Sequence, residues 1–366
     1  MANINSGDAE DFTAVTKFTF QELAAATGNF APESILGEGK CGRTFRGCLK
    51  SSGQISLFLL AITKFSVVAV RQVNEKSVSN IYRGQSLSST INLRSLLYHP
   101  NIVDMIGYCI DGDQIFFVYN FLPSGSLKDH LHDLPPNKKP LDWNTRIKIA
   151  AKGIKYLHEK SKPPVIHGNI KPSNILLCKG YHPKLSDFLG FKERIPESDK
   201  SNHARIFSSQ CYRHAPEFYM KFKLTQRSDI YSFGLVLLEL ISGRMAEIRP
   251  SLIEWLIELL VCLVIVRAKR KLVGGHEFTA LADPLLKGRY PEQGLYQALS
   301  LAAECLQSKD ASRPRIGDVV NVLSNLASQI YDPKTIQINR AGTLTIGNLD
   351  KERLTELWQH VWSFPT

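Results

Sequence analysis

Val165 to Gly190 reads VIHGNIKPSNILL, a connector CKGYH, then PKLSDFLG. Short apolar runs alternate there with spaced polar groups: His167, Asn169, Lys171, Asn174 and Asp187. On the N-terminal side a long amphipathic helix is expected from Trp143 to His158. Its apolar face comprises Ile147, Ala150, Ala151, Ile154 and Leu157. On the other side Ser228-Asp229-Ile230-Tyr231-Ser232-Phe233-Gly234 lies in a buried helix that should end at Gly243.

Farther upstream the pattern turns from helical to extended. Ile115-Phe116-Phe117-Val118-Tyr119 reads as a buried strand. Leu36-Gly37-Glu38-Gly39-Lys40-Cys41-Gly42 is a Gly-x-Gly-x-x-Gly hairpin, whose glycines let backbone approach phosphates without an intervening Cβ. Alone it is a weak signal; followed by Val68-Ala69-Val70-Arg71 it becomes persuasive. A largely apolar segment of twelve residues, Ile55 to Ser66 (ISLFLLAITKFS), stands between hairpin and strand. It lengthens a strand pair, folds over the small lobe or reflects an unremoved intron, and carries no functional assignment. Thr19 can cap a short helix through Gln21, Glu22, Leu23 and Ala24.

The chain has 366 residues, ample for one large two-lobed domain or two ordinary ones. Its hydrophobic content of 43% and charged content of 22% suit a globular protein. A net charge of +11 implies a basic surface able to meet acidic partners or an anionic leaflet. No zinc finger, RNA-recognition signature or aromatic-basic stripe accompanies it, which argues against nucleic acid. The seven cysteines lack paired spacing, as expected in a reducing cytosol. Ala2 follows Met1, where N-myristoylation needs glycine, so that modification is not expected.

These motifs, in this order, closely resemble the plant receptor-like cytoplasmic kinases, which carry FTFQELAAATGNF ahead of a protein-kinase domain. The resemblance covers about residues 18 to 333. It implies an α+β, two-lobed protein-kinase fold with a small β-rich N-lobe and a large, mainly α-helical C-lobe. The expected boundaries are 1–17 disordered, 18–35 a lead-in helix segment and 36–122 the N-lobe and hinge. The C-lobe follows at 123–331 and a tail at 332–366. The resemblance places Gly37, Gly39, Gly42, Arg71, Tyr119, Asn120 and Phe121 around ATP, with Tyr119 as gatekeeper and 120–122 meeting adenine. It makes Asn174 and Asp187 the magnesium ligands, puts Lys171 near the γ-phosphate and puts Asn169 at the position of the catalytic base. It further implies a buried Glu217–Arg313 ion pair, an anchor for the catalytic loop at Asp229, and an internal apolar column through His167 and Phe188.

Several positions depart from the family. Asn169 replaces the catalytic Asp; an amide can hydrogen-bond a hydroxyl but has no useful basicity. Gly168 replaces an Arg, Leu189 the metal-loop Gly, and Arg71 the phosphate-holding Lys, which is not a conservative swap. The Glu that should pair with that Lys falls on Thr90. Ser209-Gln210-Cys211-Tyr212-Arg213 replaces the usual segment before Ala215-Pro216-Glu217, and Gln210 argues against peptide binding. Ser198, Ser201, Ser208 and Ser209 are exposed-loop serines open to phosphorylation.

The expectation is therefore a pseudokinase: a cytosolic scaffold, decoy or allosteric partner of active receptor-like or cytoplasmic kinases, retaining at most weak ATP and magnesium binding. The alternative is a weakly active ATP-dependent Ser/Thr protein kinase, and a blander one is a degenerate product that folds poorly. Leu252 to Val266, followed by Arg267-Ala268-Lys269-Arg270-Lys271, is too short and too charged to span a membrane. Peripheral contact with the plasma membrane's cytosolic face stays open. In the tail, Leu354, Leu357, Trp358, Val361 and Trp362 form a helical stripe suited to docking.

Overall fold

The computed structural model describes residues 15–39, 42–50, 65–73, 99–152, 166–187, 215–221, 224–246 and 281–329, with single positions at 91, 95, 97, 158, 213 and 279. The Ile55–Ser66 segment (but for its last two residues), Thr90, Phe188 to Gly190, the activation-segment serines, Gln210, Leu252 to Lys271 and the tail stripe lie outside the described residues.

The N-terminal part is a six-stranded sheet. Its strands are β1 (Thr16–Lys17), β2 (Ile35–Gly39), β3 (Gly42–Lys50), β4 (Phe65–Val73), β5 (Met105–Asp111) and β6 (Gln114–Asn120). They lie in the order β1-β5-β6-β4-β3-β2. β6 sits between β5 and β4, and its two faces are buried in separate clusters, Ile115 and Phe117 in one, Phe116 and Val118 in the other; that is why Ile115 to Val118 is a continuous apolar run rather than an alternating one. α1 (Phe20–Ala26) begins at Thr19, whose hydroxyl accepts the Glu22 N–H while the Glu22 carboxylate accepts the Thr19 N–H, a capping box. Below α1, the rings of Phe20, Phe30, Phe45 and Phe116 pack with centroids 5.1–5.9 Å apart. This cluster closes the outer face of the sheet with Leu23, Val68 and Val70.

The remaining described residues are mainly helical, with α2 (Leu127–Leu131), α3 (Trp143–Lys152), α4 (Pro216–Lys221), α5 (Gln226–Ser242), α6 (Glu292–Cys305) and α7 (Ile316–Ser328). A two-stranded sheet, β7 (Ile175–Leu177) with β8 (Pro183–Leu185), joins them. α5 is buried over nearly its whole length: α3 and α6 pack against it, and α7 packs on α3 and α6, all in one apolar core. It opens at Thr225, which shares a reciprocal cap with Ser228, and ends at Gly243 with φ 68°. The expected helix from Trp143 is described to Lys152, and His158 is helical again.

Among the described residues, three arginine–carboxylate pairs cross this core. Arg313 grips Glu217 with two bonds of 2.7 Å and donates further to the Gln307 and Arg227 carbonyls. Arg146 reaches Asp283 at 2.7 Å, and Arg213 reaches Glu239 at 2.7 Å. Each guanidinium is buried and each pair has further hydrogen bonds, the condition under which buried ions are tolerated.

Candidate active site

The catalytic loop is built downward from Asp229. This buried carboxylate, in the first turn of α5, accepts the backbone N–H of His167 at 2.7 Å and of Gly168 at 2.8 Å. His158 donates to it as well, through Nε2 at 3.0 Å. Gly168 has φ 73°, a left-handed conformation that a side chain there would strain. The imidazole of His167 is completely buried; Nδ1 accepts the Asn169 N–H at 3.2 Å while Nε2 donates to the Ser186 carbonyl at 3.0 Å. One neutral ring thus ties the loop to the residue before Asp187. Asn174 adds a second tie: its Nδ2 donates to the Asn169 carbonyl at 2.8 Å, and its own carbonyl accepts the Ser186 N–H at 2.9 Å.

Asn169, Asp187 and Arg71 converge on one point. Asn169 Nδ2 lies 3.2 Å from Asp187 Oδ2, and Arg71 Nη1, reaching in from β4, lies 2.8 Å from Asp187 Oδ1. Asp187 has φ 56°, a left-handed backbone that a non-glycine residue holds at a cost, and such outliers gather at functional sites. The cationic residue at 71 therefore has a partner, but a carboxylate on the catalytic side rather than a glutamate at 90. Lys171 sits in extended backbone at the start of a 3-10 turn over Pro172–Asn174.

The nucleotide-side residues surround this point less tightly. Tyr119 pairs in register with Ala69 of β4 and Met105 of β5, and packs beside Val73, Ile115, Phe117 and Ile166. Asn120 donates its N–H to the Asp104 carbonyl at 3.2 Å and its Nδ2 to the Asp104 carboxylate at 3.4 Å, so its side chain is drawn toward Asp104. The Phe121 ring lies under the Arg46 guanidinium, 5.4 Å from centroid to carbon. Gly42 is placed by close approach: a Cβ there would overlap the Gln72 carbonyl oxygen. At Gly37 and Gly39 a Cβ would meet no atom within 4 Å, leaving open space along β2. Lys40 and Cys41, at the tip, lie outside the described residues.

These residues fit a nucleotide and a hard divalent cation. With Asn174 Nδ2 committed to Asn169, its Oδ1 and the Asp187 carboxylate present an all-oxygen set of the kind magnesium takes, completed by water and phosphate. No cluster of three or more His, Cys, Asp or Glu occurs among the described residues, consistent with so sparse a set. The sequence did not reveal Ser186, the residue both ties converge on, or Asp104, which binds Asn120 and lies 3.2 Å from Lys184 of β8. Their partners are 12 or more positions distant in sequence, and neither carries a local motif.

The model of the protein tyrosine and serine/threonine kinase family matches residues 31–323. The chain belongs to that family. Serine/threonine-protein kinase PBL27 of Arabidopsis thaliana is 48% identical over 87% of this kinase chain, which spans 59% of that relative. Serine/threonine-protein kinase PBS1 from the same plant is 47% identical over 87% of the chain, which spans 66% of it. The probable serine/threonine-protein kinase PBL7 is 45% identical over 88% of the chain, which spans 80% of it. These relatives are plant receptor-like cytoplasmic Ser/Thr kinases. No helix among the described residues is long and apolar enough to cross a membrane.

These likenesses correct the expectation of a pseudokinase acting as scaffold, decoy or allosteric partner. Relatives matching nearly the whole kinase region are named as Ser/Thr kinases, and nothing in them points to lost activity, so the kinase alternative is favoured. The physical reason lies in the reaction. Phosphoryl transfer has a loose transition state, and catalysis is almost entirely positioning and electrostatics. Losing the base position slows such a reaction without abolishing it.

Proposed function

We propose that this chain is an ATP-dependent Ser/Thr protein kinase with slow turnover, acting in plant receptor signalling at the cytosolic side of the cell. The observation that carries this reading is the meeting of Arg71 and Asn169 at Asp187, small-lobe cation and large-lobe amide lying 2.8 and 3.2 Å from its two carboxylate oxygens. ATP supplies the phosphoryl group, and magnesium neutralises charge developing on it.

The chain's own residues then do the following. Arg71 provides a fixed positive charge where the α- and β-phosphates would lie, as the family resemblance implies. Asn174 and Asp187 offer oxygens to the cation. Asn169 has its Nδ2 turned to Asp187, which leaves Oδ1 to accept the hydrogen bond of an incoming serine or threonine hydroxyl and orient it. It does not take up the proton, so the rate is lowered by about 10² to 10⁴ from an ordinary kinase. Lys171, two residues on, supplies charge toward the γ-phosphate.

Other receptor-like or cytoplasmic kinases are the proposed partners, and the basic surface suits contact with an anionic leaflet. The test is substrate-dependent transfer of phosphate from ATP to serine or threonine by the purified chain. Transfer that disappears in Asp187→Ala supports the reading. Transfer that survives in that variant, or is absent from the wild type, refutes it.

A further inference from the structure

Both oxygens of Asp187 already face nitrogens: Oδ1 is ion-paired with Arg71 at 2.8 Å, and Oδ2 accepts from Asn169 at 3.2 Å. The Arg71 and Asp187 side chains are only 20% and 11% exposed, so this pair is screened far less than one at the surface. A guanidinium keeps its charge at any pH the protein meets, and its planar fork is weakly hydrated for a cation. Arg71 is therefore a permanent counter-charge to Asp187.

Two consequences follow for ligands. A polyphosphate approaching an unpaired carboxylate would meet like charge, and neutralising that carboxylate is part of what a divalent cation contributes to binding. Here the neutralisation is supplied by the chain. Conversely, magnesium demands near-ideal octahedral geometry and dehydrates reluctantly, so it competes poorly for oxygens that two donors already hold. The ordinary division of labour, cation on the carboxylate and ammonium on the phosphates, is shifted.

We propose that Arg71 and Asn169 together replace the metal at Asp187 during nucleotide binding, so the site takes a nucleoside triphosphate with little help from magnesium. Metal is then needed for transfer rather than for occupancy. This rests on the nucleotide site of the proposed function.

The test is displacement of a fluorescent ATP analogue from the purified full chain, with ATP titrated in EDTA and in millimolar magnesium. Wild-type affinity should differ by less than about tenfold between the two buffers. Arg71→Met should weaken metal-free binding by more than about tenfold, with magnesium restoring most of it. Asn169→Asp, which removes a donor and adds a negative charge, should also make binding magnesium-dependent. It serves as the second variant should Arg71→Met fold poorly. A wild-type ratio above tenfold, no nucleotide binding in either buffer, or a ratio unchanged in the folded variants overturns the proposal. Metal-sparing binding without transfer to serine or threonine sinks the kinase reading and leaves this one standing. Transfer accompanied by strictly magnesium-dependent binding does the reverse.

Discussion

Asn169→Asp is the substitution in which chemistry and stability pull in opposite directions. It places a carboxylate where the amide now lies 3.2 Å from Asp187 Oδ2. A hydrogen bond is lost, and two like charges face each other at about 4 Å between their centres. At an effective dielectric of about 20 their repulsion is about 4 kcal/mol, which Arg71 offsets in part. A net loss of about 1–3 kcal/mol is expected without metal. Bound magnesium, which Asn174 and Asp187 would hold, should reverse it by neutralising the added charge. In exchange the site gains a general base, for which an increase of about 10² to 10⁴ in the rate of phosphate transfer is expected. The assay pairs thermal denaturation in EDTA and in magnesium with initial rates on a Ser/Thr substrate. The expected pattern is a lower Tm in EDTA, recovery with magnesium, and the faster rate. A folded, nucleotide-binding Asn169→Asp variant no faster than wild type would show that the missing proton acceptor is not what limits turnover.

Three further perturbations test the frame around the site. Glu217→Ala leaves the Arg313 guanidinium buried without its bidentate partner and should cost about 3–5 kcal/mol in urea denaturation. The double variant Glu217→Ala, Arg313→Met should be more stable than the single one, and failure to recover stability would contradict the assignment. Gly42→Ala, at φ 134° against the Gln72 carbonyl, should lower stability by about 1–3 kcal/mol. Gly37→Ala, facing open space, should change it by less than about 0.5 kcal/mol. A comparison of the two melting curves checks that contrast. Burial alone would raise the Glu239 carboxyl, but His132, Arg213 and the Ala246 N–H outweigh it and hold the group below the usual range. A depressed carboxylate contributes stability that is complete above its unfolded-state value and is lost as pH falls through the folded one. Glu239→Gln should therefore flatten the acid side of the stability curve below about pH 4.5, which urea melts at a series of pH values would show.

Much of the fold was legible because its signals are local. The Thr19 cap needs only Glu22 three residues on, β6 announces its double burial by an unbroken apolar run, and Gly243 marks the end of α5. The pairing of Glu217 with Arg313 and the anchoring by Asp229 were legible only through the family resemblance. What escaped depends on distance along the chain. Arg146 and Asp283 are 137 residues apart, and neither sequence neighbourhood hints at the other. Arg71 was read as a damaged lysine missing its glutamate, whereas in three dimensions it faces Asp187. Activity is hard to read from the sequence for a related reason: Asn169 and Arg71 taken singly look like losses, although positioning is a property of the assembled set.

The central claim is that this chain transfers phosphate slowly to hydroxyl side chains. Single-turnover measurement with labelled ATP, followed by identification of the modified amino acid, tests it most directly. The account predicts phosphoserine or phosphothreonine appearing at about 10⁻⁴ to 1 s⁻¹, and none with Asp187→Asn. An occupied nucleotide site yielding no phosphoamino acid over many hours would contradict it.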